Sequence, residues 1–206
     1  MTPAAPTRIY LASRSPRRRE LLHQIGVPFD TLLFRGGPRE DAEVDETPLD
    51  AEDPAAYVVR LARAKATHGE RLQAIRNLIP RPVLSADTTV ALGQRILGKP
   101  ADAYEAAQML RDLGGTTHQV LTGVAVAWRG RVESALSVSE VRFRTLSDAE
   151  IKRYVLSGEP LDKAGAYGIQ GRAAAFVEHL AGSYSGVMGL PLFETAALLE
   201  ATGLQF

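Results

Sequence analysis

Short apolar runs alternate along the chain with stretches of helical period. Residues 8–12 (RIYLA) read as a short buried strand, followed by a helical stretch over 20–25 that Gly26 closes. Ser15 is a good N-cap ahead of it and Pro16 suits a first helical position. The stretch 36–53 is acidic and Pro-bearing and reads as a loop. Asp53 and Pro54 then open a helix through about Leu72, with Val58, Leu61, Ala62 and Lys65 at i, i+3, i+4 and i+7. Residues 82–86 predict a strand that ends at Ala86, followed by Asp87-Thr88-Thr89 and a hairpin of 90–92 with 95–97. A helix over 102–113 stops at Gly114-Gly115. A long strand over 120–128 turns at Arg129-Gly130 and returns over 132–143. Ser147 and Glu150 frame a capping box for a helix over 149–156. A Gly-rich loop over 158–171, a strand over 173–180 and a closing helix over 191–202 complete the pattern. Helices alternating with long antiparallel pairs predict an α/β fold with a mixed sheet.

Composition narrows the class. At 206 residues and 45% apolar, the chain suits one large or two small closely packed domains with a substantial core. Lys plus Arg equals Asp plus Glu at 24 each, which argues against a nucleic-acid binder. The absence of cysteine excludes disulfides, thiolate metal sites and a cysteine nucleophile. No apolar run approaches a membrane span, and MTPAAPTR does not read as a signal peptide, so the expectation is a soluble cytoplasmic protein with no membrane partner.

Six places carry candidate chemistry. Arg17, Arg18 and Arg19 stand in a first helical turn, where the dipole prefers acids. Together with Ser13 and the free N–H groups of the helix start they suit an anion such as phosphate, and a solvated basic turn fits the same run. Lys65 continues the apolar stripe of its helix, so its amine either snorkels at the edge or points into a cleft to bind phosphate. In the first case, and equally in the second, methionine would fit the stripe. Asp87 follows a buried strand, as a ligand-binding carboxylate or as the start of an Asx turn. The loop with Lys163, Gly165, Gly168, Gln170 and Gly171 lets its backbone approach something closely, and the Gln170 amide suits a nucleobase edge; an ordinary flexible loop has the same composition. Gly98-Lys99-Pro100 is a turn with an exposed cation. Glu43, Asp45 and Glu46 belong to a solvated acidic loop or help to hold Mg²⁺ or Mn²⁺, since a divalent ion on a phosphate needs only one or two carboxylates.

The ordered strings LASRSPRRRELL, VDETP, VRLARAKA, SADTTV, LGKP, THQVLTGVAV, EPLDKAGAYGIQG and GSYSGVMGLPL resemble the Maf family of nucleoside triphosphate pyrophosphatases, also described as septum-formation inhibitors. The resemblance runs from about Ile9 to Leu199. It implies a single domain over 1–206, with a mixed elongated sheet, flanking helices and two lobes around a central cleft, often as a homodimer. It implies water attack between the α- and β-phosphates of a nucleoside triphosphate, with a divalent metal cation as cofactor. Ser13, Arg17 and Arg18 match the phosphate-binding loop. Glu46 matches an acid near the metal, with Glu43 and Asp45 as the alternatives in the same loop. Lys65 and Lys99 match cleft lysines, and Asp87 matches the carboxylate assigned as proton acceptor, with ligation of the metal as its alternative role. Lys163 and Gln170 match a loop that closes over the nucleotide. Arg17, Thr88 and Gln170 match the subgroup that acts on dTTP and UTP; a second subgroup, acting on 7-methyl-GTP, has Trp, Gln and Glu there. The contrasting class is a nucleotide-binding regulator of cell division that needs no turnover.

Overall fold

A computed structural model describes residues 5–34 and 44–206. Its strands are β1 (Ile9–Leu11), β2 (Phe29–Thr31), β3 (Val83–Leu92), β4 (Arg95–Leu97), β5 (Thr117–Trp128), β6 (Arg131–Phe143) and β7 (Val177–Ala181). Its helices are α1 (Pro16–Gln24), α2 (Pro54–Ile75), α3 (Ala103–Leu113), α4 (Asp148–Leu156), α5 (Tyr184–Met188) and α6 (Leu192–Glu200). The strands form one mixed sheet in the order β2-β1-β3-β5-β6-β7, with β4 paired to β3. β1 runs parallel to β2 and to β3, while β4 returns antiparallel along β3 and β7 along β6. The mixed α/β class expected from the sequence is the class observed.

The chain divides into two compact units: Met1–Asp87 with Thr122–Leu136 and Gly189–Phe206, and Thr88–Leu121 with Ser137–Met188. In the first unit, the α2 residues Ala62, Ala66 and Leu72 pack with Tyr10, Ala12, Val83, Ala125 and Ala127. Here α2 lies hard against the sheet. A Cβ on Gly123 of β5 would stand 2.4 Å from the Val58 carbonyl oxygen, so only glycine fits there. In the second unit, α3 and α4 bury Ala106, Leu110, Leu113, Ile151 and Tyr154 with Phe143, Tyr167 and Phe176. The Tyr154, Phe176, Phe143 and Tyr167 rings meet edge-on, an arrangement that suits the aromatic quadrupole.

Caps follow the sequence. Ser15 and Asp53 cap α1 and α2, each with proline in the first turn, and the Ser147–Glu150 capping box opens α4. Four expectations shift. β3 does not end at Ala86 but runs on through Leu92, carried by Thr88, Thr89 and Val90, whose branched side chains suit a strand. The strand expected over 173–180 begins only at Val177, because Arg172–Phe176 forms a 3₁₀ turn through an alanine run with little strand preference. The loop over 158–171 contains 3₁₀ turns at Glu159–Asp162 and Ala164–Ala166. β2 and α5 were not expected, being three and five residues long and too short to show a period.

Candidate active site

The first unit assembles most of the predicted residues. Pro16 starts α1 and Ser15 Oγ accepts the Arg18 N–H at 3.4 Å. Ser13 Oγ accepts both the Ser15 N–H at 3.2 Å and Arg18 Nη1 at 3.3 Å, so the loop wraps around the arginine side chain. Arg18 Nε donates to the Gly189 carbonyl at 2.7 Å, which fixes the guanidinium across a wide span of sequence. Burial lowers its pKa from the ordinary 12.5, against the attraction of Asp87 and with the repulsion of Arg17. Arg17 is half-buried and Arg19 exposed. The first turn of α1 contains no acid. The expected basic loop is therefore an ordered one, with Arg18 folded back onto the strand-to-helix turn. Arg14 donates to the Phe34 carbonyl at 2.7 Å.

Lys65 lies on the buried face of α2, and its amine does not snorkel. Nζ donates to Asp87 Oδ1 at 2.9 Å and pairs with Glu46 Oε1. Burial pulls the ammonium pKa down, but Asp87 and then Glu46 outweigh it and hold the value above 10.5. Asp87 stands inside β3 and starts no turn. Its Oδ1 faces the ammonium, which explains how a residue disfavoured in strands is tolerated at this point.

The segment with Glu46 is held from α2. Tyr57, whose hydroxyl is pushed up to about 12 by burial and by the charges of Asp87 and Glu46, donates to the Glu46 carbonyl at 2.9 Å. Arg60 forks onto Glu52 with both contacts at 2.7 Å and also donates to the Thr47 carbonyl at 3.1 Å. That fork holds Glu52 well below the usual carboxylate range, at about 2. Asp45 accepts the Thr47 N–H at 2.9 Å, which lowers its pKa, so it closes a turn while Glu46 reaches Lys65. Glu43 lies outside the described residues, as does the part of the acidic stretch over 36–43.

The donor set suits a divalent cation. Glu46 and Asp87 present hard oxygens to one ammonium, which itself stands as a cation between them. Among the described residues no three His, Cys, Asp or Glu side chains cluster. Two carboxylates are as many as a Mg²⁺ or Mn²⁺ ion needs when phosphate oxygens complete its shell.

The second unit holds the remaining candidates. Thr88 is half-buried on β3. Lys99 is exposed after β4, and the neighbouring Gly98 carbonyl accepts the Gly165 N–H at 3.1 Å, tying this turn to the Gly-rich loop. Lys163 Nζ donates to the Glu159 carbonyl at 2.6 Å and to Asp162 Oδ1 at 2.5 Å. Gln170 is exposed, with its amide beside Gly168. The loop glycines do approach something closely, and it is the protein's own side chains. A Cβ would meet Val90 at 2.7 Å from Gly165, the Lys163 stem at 2.8 Å from Gly168, and Glu159 Oε1 at 2.0 Å from Gly171.

Sequence reasoning did not single out Tyr57, Arg60 or the Gly189 carbonyl. Tyr57 and Arg60 were open to notice, since they lie one turn apart on a helix that also presents Lys65. The Gly189 contact had no sequence signal, because a backbone carbonyl is the same at every residue.

A protein-family model described as Maf-like protein matches residues 8–202. Among curated relatives, a protein of Dechloromonas aromatica (strain RCB) named dTTP/UTP pyrophosphatase is 62% identical over 198 residues, covering 96% of this chain and 98% of its own. Proteins of the same name from Aromatoleum aromaticum and Ralstonia nicotianae are 61% and 59% identical, over 95% and 98% of this chain and 96% and 98% of theirs. A solved structure, that of the Staphylococcus aureus Ham1 protein, is 12% identical and covers 66% of this chain and 72% of its own at a TM-score of 0.45, too weak a likeness to add to the assignment. With the family's match running almost end to end over the arginine turn, the Lys65 helix and the Gly-rich loop, the chain belongs to the Maf family.

Proposed function

We propose that this protein is a nucleoside triphosphate pyrophosphatase that hydrolyses dTTP and UTP to the monophosphate and pyrophosphate. The observation that carries the reading is the Glu46–Lys65–Asp87 ion triad, within electrostatic reach of Arg18, in a chain whose close curated relatives are named dTTP/UTP pyrophosphatase. A protein that only bound nucleotides would have no use for two carboxylates next to a triphosphate of like charge.

In this reading Arg17, Arg18 and the N–H groups at the start of α1 bind phosphate oxygens, with Ser13 keeping Arg18 in place. Lys65 neutralises charge that builds up as pyrophosphate leaves, and Lys99 and Lys163 add positive charge to phosphate oxygens. Electrostatic stabilisation of this kind supplies most of the catalysis in phosphoryl chemistry. A water oxygen bonds to the α-phosphorus, the bond from that phosphorus to the bridging oxygen breaks, and pyrophosphate carries away the electron pair. Asp87 takes the water proton. Glu46 and Asp87 would hold a divalent cation, which when bound supplies charge neutralisation and makes water a stronger acid. Thr88 and Gln170 read the base, the Gln170 amide matching the alternating carbonyls and N–H of uracil or thymine.

The test is pyrophosphate release from dTTP, UTP, CTP, GTP and 7-methyl-GTP with Mg²⁺, with Mn²⁺ and with chelator. Turnover of dTTP and UTP that needs the metal is the expected result. Turnover that favours 7-methyl-GTP would overturn the base assignment, and no turnover of any nucleotide would overturn the activity.

A further inference from the structure

The Gly-rich loop is braced by a residue that the proposed chemistry leaves unused. Glu159 opens the loop and its carboxylate reaches across to the other end. Oε1 accepts the Tyr154 hydroxyl at 3.0 Å and Oε2 accepts the Arg172 N–H at 3.2 Å. The Tyr154 oxygen in turn accepts the Gly168 N–H at 3.4 Å, and the Glu159 carbonyl accepts Lys163 Nζ at 2.6 Å. The carboxylate fills the space where a Cβ on Gly171 would sit, 2.0 Å from Oε1. Gln170 therefore stands between two anchored amides, Gly168 and Arg172, while Lys163 lies between the Glu159 carbonyl that its amine grips and the anchored Gly168 amide.

The donors facing Glu159 decide its chemistry. An O–H and an N–H arrive at opposite oxygens, so the side chain must accept at both ends. Only a carboxylate does so. Glutamine would turn an N–H₂ toward a donor at one end, and aspartate is one methylene too short. Tyr154 is itself fixed, packed edge-on against Phe176.

We propose that Glu159, acting through Tyr154, is a positioning residue that sets the loop geometry by which Lys163 meets phosphate and Gln170 meets the base. The proposal rests on the pyrophosphatase reading, and it adds that base discrimination depends on a residue that contacts no substrate. A loop displaced by about 1 Å costs up to roughly 100-fold in rate.

The experiment compares Glu159→Gln, Tyr154→Phe, Gly171→Ala and Glu159→Ala/Gly171→Ala with Glu159→Ala. It reads kcat and KM for dTTP, UTP and CTP, the melting temperature, and hydrogen exchange at the Gly168 and Arg172 amides. Glu159→Gln and Gly171→Ala should each lower kcat/KM for dTTP by about ten- to 100-fold, compress the preference for dTTP over CTP and speed exchange at both amides. Tyr154→Phe should speed exchange at Gly168 more than at Arg172. The double variant should be no worse than Glu159→Ala, because the methyl group no longer meets a carboxylate. Unchanged kinetics and preference in Glu159→Gln would overturn the proposal, as would a loss that tracks melting temperature with base preference intact. Should Glu159→Gln fail to fold, Tyr154→Phe and Gly171→Ala decide by the same readouts. A wild-type protein without turnover would remove the pyrophosphatase reading before any variant is compared, and this proposal with it.

Discussion

Replacing Lys65 with methionine separates the two roles of its amine. From the sequence alone the change is neutral or stabilising, since methionine fits the apolar stripe of α2. The structure reverses that sign. The side chain of Lys65 is 9% exposed, and those of Asp87 and Glu46 are 13% and 30% exposed, so the substitution leaves two carboxylates facing each other with little solvent to screen them. Removing one partner of a buried pair costs about 3–5 kcal/mol. The exposure of Glu46 argues for the lower end, and the retained apolar stem offsets about 1 kcal/mol. A net loss of about 2 kcal/mol should lower the melting temperature by roughly 4–8 °C at neutral pH in the presence of chelator. Mn²⁺ should then raise the melting temperature of the variant more than that of the wild type, because a cation replaces the ammonium between the carboxylates. Adding Asp87→Asn should likewise recover stability by removing one of the like charges. In kinetics, loss of a charged contact to the transition state should cost about 2–5 kcal/mol, a factor of roughly 30 to 5,000 in kcat/KM. The wild-type contribution has a defined pH window. The folded pKa is raised above 10.5, so the stabilisation is full below that value and is lost as pH rises through the folded value. Calorimetry and steady-state kinetics on one preparation decide it. A variant as stable as the wild type without metal would refute the electrostatic account, and unchanged kinetics would remove Lys65 from the mechanism.

Three further outcomes are expected. Asp87→Asn should abolish hydrolysis while circular dichroism stays native, since asparagine keeps an oxygen for Lys65 but cannot take a proton; near-normal turnover would exclude Asp87 as the base. Gln170→Glu should lower kcat/KM for dTTP by a large factor, up to roughly 10⁴, with little change in melting temperature because the side chain is exposed, and equal turnover of dTTP by both forms would show that the amide does not read the base. Acid should weaken the fold through His118. Burial lowers its pKa from 6.5 to about 4, so the unfolded chain binds the proton first and stability falls as pH drops from 6.5 toward 4, by about 3 kcal/mol in total. Urea unfolding of wild type and His118→Asn between pH 7 and 4 tests this, and an unchanged acid slope in the variant would assign the loss to other groups.

Much of this protein is legible in its sequence, for local reasons. The caps Ser15, Asp53 and Ser147 act within one turn of themselves, so each announces its helix. The stripe of α2 placed Lys65 on the buried face because a helical period is a property of spacing alone. The glycines at 165, 168 and 171 announced a close approach of backbone to something. What the amine and the glycines meet was decided by the tertiary structure. Lys65 could have snorkelled, and it pairs with Glu46 and Asp87 because β3 continues through Asp87 and because Tyr57 and Arg60 hold the segment around Glu46 against α2. The choice of Glu46 over Asp45 at that ammonium came from the family resemblance and not from spacing, since both are carboxylates one position apart and it is the Thr47 turn that commits Asp45 elsewhere. Local spacing fixes which face of an element a side chain occupies. Which charge it meets on that face depends on contacts between residues far apart in the chain, and spacing along the chain does not encode those.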